Sequence, residues 1–344
     1  MNGKPKILVI YTGGTIGMVK NSENGSLRPM AFHNILDELP ELKDGNYEIT
    51  TFTYNPPLDS SNIKPIYWLW MSSLVTKNYD DYDGFVILHG TDTMAYSASM
   101  LSFLFENLAK PVIFTGSQLP MGLLRTDAKE NLIAALEIAS HRENGKPIVN
   151  EVCIFFQNKL YRGNRTTKSN AEEFKAFQSY NYPSLAESGV HIKYNYNAIG
   201  FPRKKLSRFK SYTAVNTDVA ILKIFPGMNE KLVSTIFNTP DLRGIILETF
   251  GAGNAPDFSW FMREIDKAIK RGIFIMNVTQ CAGGAVDQGR YETSIQLEKM
   301  GVLSGYDITT EAAVTKMMYV FGQDLSRKDI RRMLSASIRG EITI

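Results

Sequence analysis

The sequence predicts an α/β protein of two domains, each built on a largely parallel sheet. Length is the first reason, because 344 residues exceed what one typical hydrophobic core supports. The second is an alternation of short apolar, β-branched-rich runs with longer helix-forming stretches, the pattern of βαβ units. The third is that this alternation breaks off over Tyr194–Asn216 and restarts beyond it. Together they mark an N-terminal domain over 1–193, a linker over 194–216 and a C-terminal α/β domain over 217–344.

Ile7–Tyr11 opens the first half as a buried strand. Strands are predicted again at Ile49–Tyr54, Phe85–Leu88, Val112–Phe114 and Val152–Phe156. Helices are predicted over Pro65–Lys77, Thr93–Leu108 and Thr126–Ser140. Pro65 suits a first helical turn, and Ala134, Ala135 and Leu136 are strong helix formers. In the second half, strands at Val219–Ile224, Ile245–Leu247 and Ile273–Asn277 alternate with helices around Asn229–Asn238 and across Phe258–Arg271. The linker carries Gly200, Pro202 and the basic residues Arg203, Lys204, Lys205, Arg208 and Lys210. A solvated connector accounts for that cluster better than an anion or nucleic-acid patch, since no aromatic-interleaved motif accompanies it.

Composition narrows the function classes. Hydrophobic content of 44% and charged content of 21% are those of a soluble globular protein. A net charge of +3 implies neither a nucleic acid nor an acidic membrane as partner. Cys153 and Cys281 stand far apart without a C-x-x-C neighbour, which argues against a disulfide framework and a zinc site and fits a reducing compartment. The apolar run Ile7–Tyr11 is too short for a signal-peptide core, and no stretch approaches a membrane span. A cytoplasmic location is the expectation.

The polar motifs all fall in one place. "TGGTIG" follows the first predicted strand and "PPLDSSN" the second; "HGTDT" follows the third and "TGSQLP" the fourth. Each sits at the carboxyl end of a parallel strand, the edge where open α/β sheets bind ligands. Neither the dinucleotide fingerprint nor the P-loop frame fits Gly13, Gly14 and Gly17, so a phosphate site is a poor reading. These segments supply hydroxyls (Thr15, Ser60, Ser61, Thr91, Thr93, Ser117) and carboxylates (Asp59, Asp92). There is no G-x-S-x-G elbow and no H-E-x-x-H. His89 reads better as a packed strand-end residue than as a catalyst. With no metal or cofactor signature, such a set could run nucleophilic catalysis through a threonine hydroxyl aided by a base. Lys168 in "YRGNRTTK" is a candidate base if burial lowers its pKa. From that segment alone a surface lysine is the better reading.

"YTGGTIG", "DDYDGFVILHGTDTMAYSASMLSFLFENLAKPVIFTGSQ", "LYRGNRTTK", "GAGNAPD" and "TQC" together resemble the cytoplasmic, type I L-asparaginases. The likeness runs in order along nearly the whole chain. It implies a larger N-terminal and a smaller C-terminal α/β domain, a homo-oligomer (dimer or tetramer), no cofactor and no metal. It also implies hydrolysis of the side-chain amide of L-asparagine to L-aspartate and ammonia. By position, Thr15 matches the nucleophile that takes the aspartyl group as an ester. Thr91, Asp92 and Lys168 match a second set in which Lys168 accepts the relayed proton and Asp92 holds it. Asp92 would also help bind the α-amino group. Asp59, Ser60 and Ser61 match the loop that holds the α-carboxylate, Gly90 joins Thr91 and Asp92 as a substrate-binding position, and the backbone of Ser117 faces the scissile amide. Gly13 and Gly14 would clear space for substrate at Thr15, and Met18–Met30 would form a lid.

Departures from the family pattern are specific. A lid tyrosine found in secreted relatives and some type I members has Ser26 in its place, so its role is not carried over. Asn254 in "FGAGNAP" matches a segment that helps complete a neighbouring subunit's site, with a domain-internal turn as the alternative. Thr167, Glu248 and Cys281 match an effector pocket of some type I enzymes, but Glu248 stands where those carry arginine. That charge reversal predicts hyperbolic or weakly cooperative kinetics unless another cation such as Arg243 substitutes. A broader glutaminase-asparaginase remains open, as does the amidase subunit of a tRNA-dependent amidotransferase. The latter is disfavoured because that family carries an extra N-terminal domain, whereas the first strand here begins at Lys6. A non-catalytic amino-acid sensor is a remote reading, since Thr15, Thr91, Asp92 and Lys168 are all present.

Overall fold

The computed structural model describes residues 3–20, 27–29, 39, 42, 45–200, 208–289 and 292–344. The chain falls into two units, Met1–Thr213 and Ala214–Ile344.

The first unit is organised by an eight-stranded sheet. Its strands are β1 (Lys6–Gly13), β2 (Glu48–Leu58), β3 (Gly84–Leu88), β4 (Val112–Thr115), β5 (Val152–Phe156), β6 (Lys159–Arg162), β7 (Ala186–Ser188) and β8 (Ile192–Tyr194). They lie in the order β8-β7-β6-β5-β4-β3-β1-β2. From β2 to β5 all pairings are parallel, with Ile7 opposite both Ile49 and Gly84, and Val112 opposite both Phe85 and Val152. The strands β6 to β8 extend the sheet antiparallel. Among the described residues three helices connect the parallel strands: α1 (Pro65–Lys77), α2 (Met94–Leu104) and α3 (Ala128–Ser140).

Strands buried on both faces read as unbroken apolar runs, and every residue of β3 and β5 is buried. Ile7, Val9, Val86, Leu88, Ile113, Cys153 and Phe155 pack with Leu132, Ala135, Leu136 and Ala139 of α3. Leu8, Ile10, Phe85, Ile87, Phe114 and Ile154 alternate with them, so they point to the other face and are equally buried. Within the parallel strands the chain order β2-β1-β3-β4-β5 reverses at β1. That reversal makes the carboxyl ends of β1 and β3 the switch point of the sheet, the place where doubly wound sheets bind ligands.

Two elements differ from the sequence expectation. The helix expected over Thr93–Leu108 ends at Leu104, because Phe105–Glu106 turns extended and pairs with Lys210–Ser211. Those two residues belong to the segment expected as a linker. Arg203, Lys204 and Lys205 of the basic cluster lie outside the described residues, while the Arg208 carbonyl accepts a hydrogen bond from Asn107 Nδ2 at 3.2 Å. The strand expected at Ile49–Tyr54 runs on to Leu58. The β1 register shifts between Tyr11 and Gly13, which sets Gly13 opposite Leu58.

The second unit is a four-stranded, wholly parallel sheet in the order β9-β10-β11-β12. Its elements run β9 (Val219–Lys223), α4 (Glu230–Phe237), β10 (Gly244–Thr249), α5 (Ser259–Lys270), β11 (Phe274–Thr279), α6 (Glu292–Met300), β12 (Leu303–Ser304), α7 (Thr310–Phe321) and α8 (Arg327–Ser335). Leu222, Ile245, Leu247 and Ile275 pack with Val233 and Phe237 of α4 and with Phe261, Ile265 and Ala268 of α5. The side chains of Asn229, Thr309 and Ser326 cap α4, α7 and α8 by accepting from Leu232, Ala312 and Asp329 N–H groups. Among the described residues no helix is long and apolar enough to cross a membrane.

A charged pair sits inside this unit. Lys316 Nζ lies 2.6 Å from Glu341 Oε1, and both side chains are fully buried. Lys316 also donates to the Leu334 and Ala336 carbonyls at 3.1 and 2.6 Å. Glu341 accepts the Ile338 and Arg339 N–H groups at 3.1 and 2.7 Å. Burial lowers the Lys316 pKa and the Glu341 charge opposes that shift. Lys316→Met leaves a buried carboxylate without its cation. A loss of roughly 3–5 kcal/mol is therefore expected in urea denaturation, and an unchanged midpoint would contradict it.

Candidate active site

Four strand ends of the first unit meet through glycine. Gly13 has φ 139° and Gly14 has φ 91°, backbone that side-chain-bearing residues rarely adopt. A Cβ on Gly13 would stand 2.1 Å from the Leu58 carbonyl oxygen, and one on Gly14 would stand 2.6 Å from the Gly90 backbone. A Cβ on Gly90 would meet Ser60 Oγ at 2.5 Å, and one on Gly116 the His89 carbonyl at 2.4 Å. Space beside Gly13 and Gly14 is therefore filled by the neighbouring loops. This corrects the expectation that these glycines clear room for substrate: they let the loops interlock. Thr15 follows as the first residue of a 3₁₀ turn, Thr15–Gly17, and is partly exposed. Under that turn lies Tyr11, wholly buried, with burial pushing its phenol pKa up to about 12.

Hydrogen bonds tie the same loops together. Asp59 Oδ1 accepts Ser61 N–H at 2.9 Å and caps the short turn Ser60–Asn62. The Ser60 carbonyl accepts from Thr93 Oγ1 at 2.7 Å, and Thr12 Oγ1 donates to the Leu88 carbonyl at 2.8 Å. Ser60 is buried, whereas Asp59 and Ser61 are exposed.

Lys168 is brought in from 76 residues away in sequence. Its Nζ donates to Thr91 Oγ1 at 2.8 Å and to Asp92 Oδ1 at 2.7 Å. The Lys168 side chain is 19% exposed and that of Asp92 63%, so the ammonium is sheltered and its counter-charge faces water. This is not the free surface lysine that its own segment suggested. A short pairing of Thr167–Lys168 with Phe177–Gln178 holds it in place. Just upstream, Arg162 anchors the chain. Its Nε meets Glu151 Oε2 at 2.5 Å, its Nη2 donates to the Ala198 and Gly200 carbonyls, and its guanidinium lies over the Tyr182 ring.

Other residues of the site went unread in the sequence. Gln118 Oε1 accepts from Thr91 Oγ1 at 3.3 Å, while its Nε2 donates to the Ala171 and Glu173 carbonyls at 3.0 and 3.2 Å. Gln118 closes the quoted "TGSQ", so the motif itself was the available signal. The loop that carries it is held from below by Asp127, whose carboxylate accepts the Gln118 and Leu119 N–H groups. Asn131 donates to Asp127 Oδ2 and to the Gly116 carbonyl. Ser117 is buried and its hydroxyl donates to the Leu119 carbonyl at 2.6 Å. Among the described residues no three of His, Cys, Asp and Glu gather as metal ligands.

Comparison with known proteins decides the family. Residues 6–200 match the model described as "Asparaginase, N-terminal", and residues 218–334 match "Glutaminase/Asparaginase C-terminal domain". The chain belongs to the asparaginase family. L-asparaginase 1 of Escherichia coli strain K12 is 42% identical over 347 residues, spanning 99% of this chain and 98% of that protein. The solved L-asparaginase I from Vibrio cholerae aligns with a TM-score of 0.90 at 40% identity, covering 99% of this chain and all of that one. The 60 kDa lysophospholipase of Homo sapiens is 38% identical over 362 residues, which are 98% of this chain and 61% of that protein.

Other residues that the asparaginase resemblance singled out belong to the second unit or to the lid segment. In the second unit, Glu248 is buried at the end of β10, with Thr310 Oγ1 donating to it at 2.5 Å and Lys223 Nζ 3.7 Å away. Arg243 precedes the other end of β10, where it donates to the Phe321 carbonyl at 2.8 Å, so it cannot stand in for a cation at Glu248. Cys281 is exposed, and its N–H donates to Thr279 Oγ1 at 3.0 Å. Asn254 bridges to Phe250 in a tight turn and accepts from Thr293 Oγ1 at 3.4 Å. Ser26 and most of the segment expected as a lid lie outside the described residues. Its described part pairs Met18–Lys20 with Leu27–Pro29.

The glycine contacts carry a direct test. Gly14→Ala must strain a positive φ and push on the Gly90 backbone, at a cost of roughly 1–3 kcal/mol. A lower melting temperature together with at least a tenfold loss of turnover is expected. Wild-type values for both would show that the two loops do not touch as described.

Proposed function

We propose that this chain is an L-asparaginase that hydrolyses L-asparagine to L-aspartate and ammonia through an aspartyl ester on Thr15. The observation that carries the reading is the Lys168 ammonium within 2.8 Å of Thr91 Oγ1 and 2.7 Å of Asp92 Oδ1. The loop that carries this set packs, at Gly90, on the loop that leads to Thr15. Membership in the asparaginase family supports the substrate assignment.

In this reading Thr15 Oγ attacks the side-chain amide carbon, its proton passes toward the leaving nitrogen, and ammonia departs. Water then attacks the ester. Thr91 positions that water and Lys168, once neutral, takes its proton, with Asp92 holding the resulting ammonium. Asp59, Ser60, Ser61 and Gly90 form the wall that receives the α-carboxylate, and Asp92 faces the α-amino group. The Ser117 backbone faces the scissile amide. No metal or organic cofactor enters this scheme. We further place the enzyme in the cytoplasm as a homo-oligomer, dimer or tetramer, with Asn254 reaching toward a neighbouring copy's site.

L-glutamine differs by one methylene, which a pocket separates by only about 1–3 kcal/mol, so both amides belong in the assay. Ammonia release from L-asparagine is expected to exceed that from L-glutamine. Thr15→Ala should abolish it while the protein stays folded. Lys168→Met should lower kcat by roughly a thousandfold or more with KM little changed, because a proton relay acts in the transition state. A KM effect alone would make Lys168 a binding residue.

In this reading the effector positions that the resemblance assigns to Thr167, Glu248 and Cys281 are vestigial. A buried glutamate already partnered by Thr310 and Lys223 offers an effector's carboxylate no guanidinium. Saturation by L-asparagine is therefore expected to be hyperbolic or weakly cooperative, with a Hill coefficient near one. A coefficient approaching the subunit number would contradict this.

A further inference from the structure

His89 ends β3 almost entirely out of solvent, at 1% exposure, and its ring is fully engaged in hydrogen bonds. Nδ1 lies 2.7 Å from the Gly90 carbonyl oxygen and Nε2 lies 2.9 Å from Ser97 Oγ. Ser97 Oγ in turn accepts the Trp68 indole N–H at 2.9 Å. The direction of each bond follows from the chemistry of the groups. A carbonyl oxygen only accepts, so Nδ1 carries the proton. Indole only donates, so the Ser97 hydroxyl has its own proton left for Nε2. Burial lowers the imidazole pKa to about 4, which keeps the ring neutral near pH 7 and leaves Nε2 a bare acceptor. One tautomer satisfies every atom of the chain.

We propose that His89 is a positioning residue for the Gly90–Thr91 peptide, with Ser97 and Trp68 fixing the tautomer that lets it act. In a trans peptide the carbonyl of one residue and the N–H of the next point in opposite directions. Holding the Gly90 carbonyl against the buried ring therefore turns the Thr91 N–H away from the core, outward at the sheet edge. Among the described residues nothing accepts that N–H, and the Thr91 contacts run through its hydroxyl. It is free to donate to a bound anion or a developing oxyanion, where a fixed backbone donor is most effective. Gly90 has no side chain to resist rotation of this peptide. The restraint comes from the ring, and from Gly14 and Ser60 on either side of Gly90. This inference deepens the hydrolase reading and rests on it for its kinetic consequence.

The test has a spectroscopic arm that needs no activity. Long-range ¹H–¹⁵N correlation on ¹⁵N-histidine-labelled protein at pH 7 should show one ring, absent in His89→Asn, as a neutral imidazole protonated at Nδ1. An Nε2-protonated or charged ring for His89 overturns the proposal. The kinetic arm compares variants with the wild type. Asparagine's amide N–H can reach the Gly90 carbonyl as Nδ1–H does, whereas leucine has no donor. His89→Leu should lower kcat about a hundredfold, the usual scale for loss of one fixed donor, with KM within about threefold. His89→Asn should keep at least severalfold more of kcat than His89→Leu. Ser97→Ala removes one remote oxygen and guards against a variant that fails to fold. Its kcat should fall about tenfold as the second tautomer becomes accessible. Equal losses in His89→Asn and His89→Leu, or wild-type kcat in Ser97→Ala, overturn the proposal. A wild type that releases no ammonia from L-asparagine overturns the functional reading instead, and the spectrum then decides the tautomer alone.

Discussion

The candidate site depends on how closely four backbone segments approach at the carboxyl edge of one sheet. Gly13 against Leu58, Gly14 against Gly90, Gly90 against Ser60 and Gly116 against His89 form a chain of contacts with no room for a side-chain carbon. Parallel strands in register bring their ends to a common level, but that alone leaves loops several ångströms apart. Omitting Cβ at the crossing points removes the remaining distance. Thr15, Ser60 and Thr91 thus come from three different strand ends yet share one wall. Their positions are set by backbone, which moves less than side chains do.

On that wall the electrostatics are arranged by depth. Lys168 is sheltered and Asp92 open to water, so the lysine is held by an anion that solvent still stabilises. A fully buried pair would bear the desolvation of both ions. Such a pair does exist in the molecule, between Lys316 and Glu341, and there each partner needs two backbone groups besides. The contrast separates the lysine proposed to exchange protons from one that only has to stay put. Arg162, also sheltered and saturated by carbonyls, an aromatic face and Glu151, belongs with the second kind.

Much of this was legible in the sequence, and the remainder failed for identifiable reasons. Apolar runs such as Phe85–Leu88 and Val152–Phe156 have no alternative to burial on both faces, so parallel strands followed from them. Motifs at four strand ends then pointed to one edge. The end of α2 was missed because Phe105 looks as apolar as Leu104. Only its pairing with Ser211, a contact across more than 100 residues, turns the chain extended. The strands β6, β7, β8 and β12 and the helices α6, α7 and α8 were not read at all. The partnership of Lys168 with Thr91 and Asp92 is likewise non-local: the family resemblance named it, whereas the lysine's own segment reads as a surface turn. Gln118 was passed over although it closes the "TGSQ" motif, whereas Asp127 and Asn131 carry no spacing of their own that marks them, since they act by holding a loop rather than by forming a motif. The basic cluster and the Met18–Met30 lid remain matters of sequence, lying largely outside the described residues.

The buried pair in the second unit also orders events during synthesis. Lys316 lies in α7, and its ammonium is enclosed only when Glu341 and the Leu334 and Ala336 carbonyls are in place. Until position 341 has left the ribosome, α7 presents an unmatched cation to the core it must enter. The sheet of the first unit is complete in sequence long before that point. The two units therefore differ in when they can close: the N-terminal one can fold while translation continues, whereas the C-terminal one waits for Glu341.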